Sequence, residues 1–231
     1  MFEPATQRLV ADLMPPYVFV SEDFGESSDA DIAPEEEPAI AAAIPERRRE
    51  FASGRRCARR ALAQLGVHRA AVPSGPSREP VWPPGVVGSI THCDGFRAAA
   101  VVSANLSAGI GIDAEPHEPL PRGVRRLMAG AAECVWIERL AADCPETHWD
   151  RLLFSAKESV YKVWYPLMGS WLGFEEATVS FDPVSQTFEA RLLVPSVRRD
   201  NGRPLSACTG RWQVGHGFVA TAITLPAAEV A

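Results

Sequence analysis

Lysine is nearly absent. Of 23 basic residues, 21 are arginines and only Lys157 and Lys162 are lysines, both inside the six-residue stretch KESVYK. A chain that uses arginine wherever a plain positive charge serves has a use for a compact ammonium whose pKa can move; chance clustering of two rare residues weighs about equally. Cysteine pairs are also missing. The five cysteines (57, 93, 134, 144 and 208) are odd in number and form no CxxC, so neither a disulfide framework nor a cysteine zinc site is expected, as in a reducing cytoplasm. No apolar run approaches membrane-spanning length. The stretch MFEPATQRLVADLM carries Glu3 and Asp12 without a basic n-region, so no secretory signal is expected and the location reads as cytoplasmic. Excess positive charge is lacking too: a net charge of −6 and a pI near 5.4 argue against a general nucleic-acid or membrane-surface binder.

What is present is an ordinary soluble composition, 46% hydrophobic and 23% charged over 231 residues, enough for one large domain or two smaller ones. From Glu22 to Glu37, EDFGESSDADIAPEEE has eight acids and no base and reads as a solvated, loop-like spacer rather than a binding site. From Glu46 a helix begins. Phe51, Cys57, Ala58, Ala61, Leu62 and Leu65 form its apolar stripe, and Gly66 stops it. Seven arginines against two glutamates lie between Glu46 and Arg60. Arg48 and Arg55 share a face, and Arg47 and Arg55 diverge by only about 80°. Such a run is usually a solvated face with local ion pairs; a clamp for a phosphate dianion is the sharper alternative. A Pro- and Gly-rich loop follows, then VVGSITHC, Asp94-Gly95 and FRAAAVVS, which read as a hairpin. GIGID is a further strand, residues 122–140 are loosely helical, and WDRLLFSAKESVYKVWY is a helix expected to stop at Pro166. The end is strand-like. The chain therefore reads as α/β (α+β), with two similar halves, each a helix and then a hairpin whose return strand begins Gly-Phe, related by a pseudo-twofold axis.

Asp113 and Glu115 stand at i and i+2 after an apolar strand, which puts both carboxylates on one face, roughly 6.6 Å apart along it. Such a pair suits Mg²⁺, which takes a few carboxylates with waters and phosphate oxygens; surface loops also produce the pattern. Glu158 and Lys162 share a helix face at i, i+4, with Lys157 and Tyr161 on an adjacent strip. Beside a metal-bound diphosphate, the carboxylate could accept a proton or ligate metal while the ammonium neutralises the leaving phosphate. An exposed helix pair is the plain alternative. His92, with Ser89 and Thr91, offers donors to a phosphate or simply satisfies a turn.

VWPPGVVGSITHC, GIDAEP and FSAKESVYKVWYPL, in this order and spacing, resemble the Sfp-type (EntD-like) 4′-phosphopantetheinyl transferases, and among them the actinobacterial branch with a GIDAEPH stretch, completed here by His117. The resemblance runs from about Arg47 to Thr224. It implies two α/β halves in one chain, 1–108 with the coenzyme A phosphate site and 109–231 with the metal and catalytic motifs, and a cleft between them. It implies transfer of phosphopantetheine from coenzyme A to a serine of an apo acyl, aryl or peptidyl carrier protein, releasing 3′,5′-ADP. Asp113, Glu115 and Glu158 match the residues that hold Mg²⁺ (or Mn²⁺), with Glu158 also the base, and Lys157 and Lys162 match the catalytic lysines, Lys162 facing the diphosphate. His92, Ser89 and Thr91 match the strand that binds coenzyme A phosphates, and Arg47 and Arg55 the arginines on the 3′-phosphate, with Arg48 a rival for Arg47. Where the family often has a basic residue on the loop before the tryptophan-proline pair, Ser74 and Ser77 stand here and Arg78 is the substitute. With both halves present the chain is expected to act as a monomer, without nucleic acid or membrane. PRGVRRLM, with Arg122, Arg125, Arg126, Leu127 and Met128, is the expected carrier-docking patch, an ordinary amphipathic helix being as good a reading. Two other functions stay open: a Mg²⁺-dependent coenzyme A diphosphate hydrolase, and a non-catalytic nucleotide- or RNA-binding regulator.

Overall fold

The computed structural model describes residues 8–25, 32–121, 123–200 and 202–227. The first half contains β1 (Phe19–Phe24), α1 (Pro45–Gln64), β2 (Val86–Cys93) and β3 (Phe96–Ser103). The second contains β4 (Ser107–Pro116), α2 (Val124–Met128), α3 (Ala131–Asp143), α4 (Trp149–Met168), β5 (Ala177–Asp182), β6 (Thr187–Leu192), β7 (Ala207–Gly215) and β8 (Phe218–Pro226). Two antiparallel sheets result, ordered β1-β3-β2 and β4-β8-β7-β6-β5. The fold is α+β. Its connectivity repeats: a strand (β1 or β4), a 20-residue helix (α1 or α4) and a hairpin (β2–β3 or β7–β8) whose return strand pairs with the first strand. The second half adds the β5–β6 pair to the β7 edge.

Pro45 at the first helical position and Gly66 at φ +88° bound α1, as proline without an N–H and glycine without a Cβ favour. Its stripe of Cys57, Ala58, Ala61 and Leu62 is fully buried with Ala99 and Val101 of β3. α4 carries a broader apolar face, with Leu152, Leu153, Ala156, Val160 and Val163 in the core of the second half. Gly111 of β4 lets α4 come close: a Cβ there would lie 2.0 Å from the Ser159 carbonyl oxygen and 2.8 Å from Val163.

Three expectations are corrected. The acidic stretch is not a solvated spacer at its ends. Glu22 and Asp23 lie in β1, where Glu22 accepts the Leu9 and Val10 amides at 3.0 and 2.9 Å and Asp23 pairs with Arg56 and Arg60. Glu36 is fully buried, accepting from Arg59 at 2.8 and 2.9 Å and from the Val72 amide at 2.9 Å. A helix with seven arginines needs counter-ions, and the flanking acids supply them. Residues 26–31 of that stretch lie outside the described residues. Second, α4 runs through Pro166 to Met168 and ends at Gly169, at φ +71°. Burial of Leu167 and Met168 outweighs the loss of one helical hydrogen bond near the end. Third, the segment 122–140 is two helices, broken at Ala129 and Gly130, where Glu133 accepts the Gly130 amide at 2.9 Å.

The halves meet along β2 and β4, which share no main-chain ladder. Two hydroxyls bridge them instead: Ser89 accepts the Ile112 amide at 3.2 Å, and Thr91 accepts the Ala114 amide at 3.1 Å. The segment from Leu9 to Met14 straps both halves, since Leu9 and Val10 are buried, Gln213 of β7 donates to the Leu9 carbonyl, and Arg211 donates to that of Asp12 at 3.2 Å. Among the described residues, all five cysteines are free thiols, and no helix is long and apolar enough to cross a membrane.

Candidate active site

Beside the β2–β4 seam a cleft of about 610 Å³ takes its walls from both halves: Arg47, Phe51 and Arg55 of α1, His92 of β2, and Glu158 and Lys162 of α4. One end is cationic. Arg55 is only 6% exposed. It is locked by the Val72 carbonyl at 2.6 Å and the Ser74 hydroxyl at 3.0 Å, with its guanidinium 4.2 Å from the centre of the Phe51 ring. Burial lowers its pKa to about 10, Glu36 opposing and Arg59 and Arg47 assisting, so it keeps its charge at neutral pH. Arg47 donates to Glu50 and stands 3.0 Å from His92 Nε2. Burial, then the charges of Arg47 and Lys162, push His92 down to about 4. The imidazole is therefore neutral, and its Nε2 accepts from Arg47. Arg48 turns away to the Ile40 carbonyl and Glu37; of the two rivals, the geometry puts Arg47 on the cleft. Arg78 lines the cleft mouth, exposed and at φ +69°.

Ser89 and Thr91 are each 2% exposed and hold β4 amides, so their oxygens serve the seam between the halves. Thr91 also gives its proton to Asp113 and keeps none for a phosphate, whereas Ser89, which lines the cleft, accepts the Ile112 amide and retains its own O–H donor.

The other end is anionic. Asp113 is 4% exposed. Its Oδ1 accepts from Lys162 at 2.8 Å and from Thr91 at 3.3 Å, while Oδ2 is buried without a partner. Glu115 pairs with Arg151 at 3.0 Å; burial and Asp113 raise it to about 7 against the pull of Arg151 and Lys162. Burial and Asp113 also raise Glu158, with Lys162 opposing. Among the described residues no three His, Cys, Asp or Glu side chains form a ready cage for a metal. Mg²⁺ needs no such cage, since one or two carboxylates with water and phosphate oxygens suffice. The orphaned Oδ2 and the mutual repulsion within the Asp113 group fit a divalent cation there. Lys162 spends donors on the Ile112 carbonyl at 3.0 Å and on Asp113, leaving one of its three for a ligand.

Lys157 is not with them. Its ammonium is buried on the far side of α4, against Glu133 and three carbonyls, because its neighbour Glu158 faces the cleft and successive helix positions point about 100° apart. In the expected docking patch, Leu127 is 79% exposed and Arg126 exposed, Arg125 pairs with Glu138 at 3.0 Å, and Met128 is buried in the core. Met128 therefore offers nothing to a partner. Arg122 lies outside the described residues.

The sequence reading missed Arg151, which braces Glu115 while also holding the Glu118 and Pro119 carbonyls. Its spacing of seven from Glu158 on one helix face was the available signal. It also missed Tyr165, whose hydroxyl donates to Ser77 at 2.6 Å across the cleft mouth. Nothing local marks that contact, which spans 88 positions.

The repeated strand–helix–hairpin halves and a shared cleft with arginines at one end and carboxylates at the other define a class, and comparison gives it a name. Residues 35–102 match the 4′-phosphopantetheinyl transferase N-terminal domain, and residues 109–216 match the 4′-phosphopantetheinyl transferase superfamily. The chain belongs to that superfamily. It is 48% identical over 222 residues to 4′-phosphopantetheinyl transferase Svp of Streptomyces mobaraensis, covering 95% of this chain and 90% of that protein. Identity to transferase Npt of Nocardia iowensis is 44% (93% and 99% covered) and to PptT of Mycobacterium tuberculosis 43% (94% and 98%).

Proposed function

We propose that this enzyme moves the 4′-phosphopantetheine arm of coenzyme A onto a serine hydroxyl of an apo acyl, aryl or peptidyl carrier protein, releasing 3′,5′-ADP. The observation that carries the reading is a single cleft, walled by both halves, with fixed arginines at one end and Glu158 and Lys162, the latter paired with Asp113 behind it, at the other. Arg55 and Arg47 take the 3′-phosphate as charge-assisted donors. The serine oxygen bonds to the phosphorus that carries the pantetheine, and the bond from that phosphorus to the oxygen of the departing nucleotide breaks. Glu158, whose pKa burial and Asp113 raise, accepts the serine proton, since a hydroxyl is too weak an acid to ionise alone. The remaining Lys162 donor meets charge on the leaving phosphate. Asp113 and Glu115, with Glu158, would hold Mg²⁺ (Mn²⁺ as its substitute), which supplies charge neutralisation at the diphosphate. The chain divides near residue 108 and works as a monomer, both halves of the cleft being present in one chain. Carrier docking uses Arg125, Arg126 and Leu127, a local basic and apolar patch on an acidic protein.

The test is to mix the protein with apo acyl and peptidyl carriers, coenzyme A and Mg²⁺, and weigh the intact carriers. A gain of one phosphopantetheine, abolished by EDTA and by carrier Ser→Ala, is expected. Release of 3′,5′-ADP without any gain in carrier mass would instead make the protein a hydrolase.

A further inference from the structure

Lys157 makes contacts that no surface lysine makes. It is 3% exposed, and its ammonium has four acceptors within 2.9 Å: the Met128, Phe174 and Ala177 carbonyls and Glu133. Glu133 is equally occupied. One oxygen takes the Val179 amide at 2.8 Å, and the other takes the Gly130 amide and Lys157 at 2.9 Å each. This ion pair therefore ties together the end of α2, the start of α3, the middle of α4, the short turn Phe174–Glu176 and β5. Burial pulls the lysine pKa down while Glu133 pulls it up, as for a charge kept inside a fold by a partner.

The wall held in this way borders the site. A second cavity of about 340 Å³ lies between Trp171–Phe174, Ala177 and the α4 residues Glu158 and Tyr161, which also line the main cleft. Two of the Lys157 acceptors, the carbonyls of Phe174 and Ala177, are backbone of that wall. Lys157 also precedes Glu158 directly, so whatever fixes its side chain fixes the rotation of α4 that aims Glu158 at the cleft.

We propose that Lys157 is a positioning residue: with Glu133 it pins the 171–177 wall and the α2–α3 turn to α4, and acts on the reaction through the placement of that wall and of Glu158, without touching the diphosphate. The proposal rests on the transferase reading and divides the two lysines of KESVYK into one that faces substrate and one that faces the core. A buried pair tolerates loss of one partner poorly, because the other charge is left unmatched.

Four variants, Lys157→Met, Glu133→Gln, their pair, and Lys162→Met, are assayed by carrier mass gain and by thermal melting, with the unaltered enzyme alongside. Mass gain by the unaltered enzyme tests the transferase reading itself; the variants test only Lys157. Lys157→Met and Glu133→Gln are each expected to lower the melting temperature. At a temperature where both are folded, each lowers kcat by about tenfold with a smaller change in the KM for coenzyme A, and the pair is no worse than the poorer single. Lys162→Met, which leaves the buried Asp113 without its partner, is expected to lose kcat far more than either of these variants, whatever its melting temperature. If Lys157→Met does not fold, Lys157→Gln, which keeps an amide donor, is read in its place. A Lys157 variant as stable as the unaltered enzyme but with kcat as low as Lys162→Met overturns the proposal. Glu133→Gln with unaltered stability and kcat overturns it too.

Discussion

Arg55 and His92 respond to the same buried cleft in opposite ways. A guanidinium lowered to about 10 is still charged at pH 7, whereas an imidazole lowered to about 4 is not. Arg55→Ala is therefore expected to weaken coenzyme A by roughly tenfold or more and dephospho-coenzyme A far less, since it removes a charge-assisted contact to the 3′-phosphate; titration calorimetry with both ligands gives the comparison, and equal losses would refute the clamp. Glu158→Gln is expected to reduce kcat by about a hundredfold with little change in coenzyme A affinity, read from initial rates and calorimetry. His92 has a folded pKa below its unfolded value of 6.5. Its contribution to stability is thus complete above about pH 6.5 and is lost as pH falls toward 4. In an NMR pH titration its ring should stay neutral at pH 6, and His92→Gln should flatten the fall in melting temperature across that window. At this scale the residue types that carry charge were legible: Glu158 and Lys162 share a helix face as their spacing implied, and the fold brings Lys162 to Asp113. Lys157 could not be read in this way, because KESVYK does not say which lysine finds Glu133 rather than substrate.

The elements most exposed to a single atom are β4 and α4. A methyl group at Gly111 would collide with the Ser159 carbonyl, and backbone cannot swing aside as a side chain tip can. Gly111→Ala is expected to cost about 3 kcal/mol or more, read as a lower urea midpoint, and to reduce activity by displacing Lys162 and Glu158 from Asp113. The hairpin at Asp94-Gly95 and the end of α1 at Gly66 followed from turn and cap chemistry alone. β1 did not: Glu22 and Asp23 look solvated in the sequence, and become a strand only because β3 offers an edge and the amides of Leu9 and Val10 offer partners. Pro166 was read as a stop, but burial of the residues beyond it decided otherwise.

Across the whole molecule, charge is sorted rather than balanced. The acids flanking α1 pair with Arg48, Arg56, Arg59 and Arg60, and Arg47 and Arg55 are directed to the cleft. With net charge −6, the proposed docking of an acidic carrier needs a local basic patch. Reversing Arg125 and Arg126 to Glu is expected to raise the apparent KM for an acidic carrier about tenfold without altering that for coenzyme A; an unchanged carrier KM removes α2 from the docking surface.

Sequence by itself determined the local elements, and its motifs carried the resemblance that named their chemistry. Its i+2 and i+4 spacings and apolar periodicities depend only on strand and helix geometry, so the carboxylate pair, the Glu158–Lys162 helix face and the hairpins were all present before any fold was known. Tertiary structure alone decided the assignments among similar residues. It put Arg47 on the cleft and Arg48 away from it, made Ser89 and Thr91 the bridge between β2 and β4, set Arg151 against Glu115, and buried Lys157 with Glu133. Each depends on partners tens of residues away. Desolvation and pairing, which decide what a charge does, exist only once those partners meet.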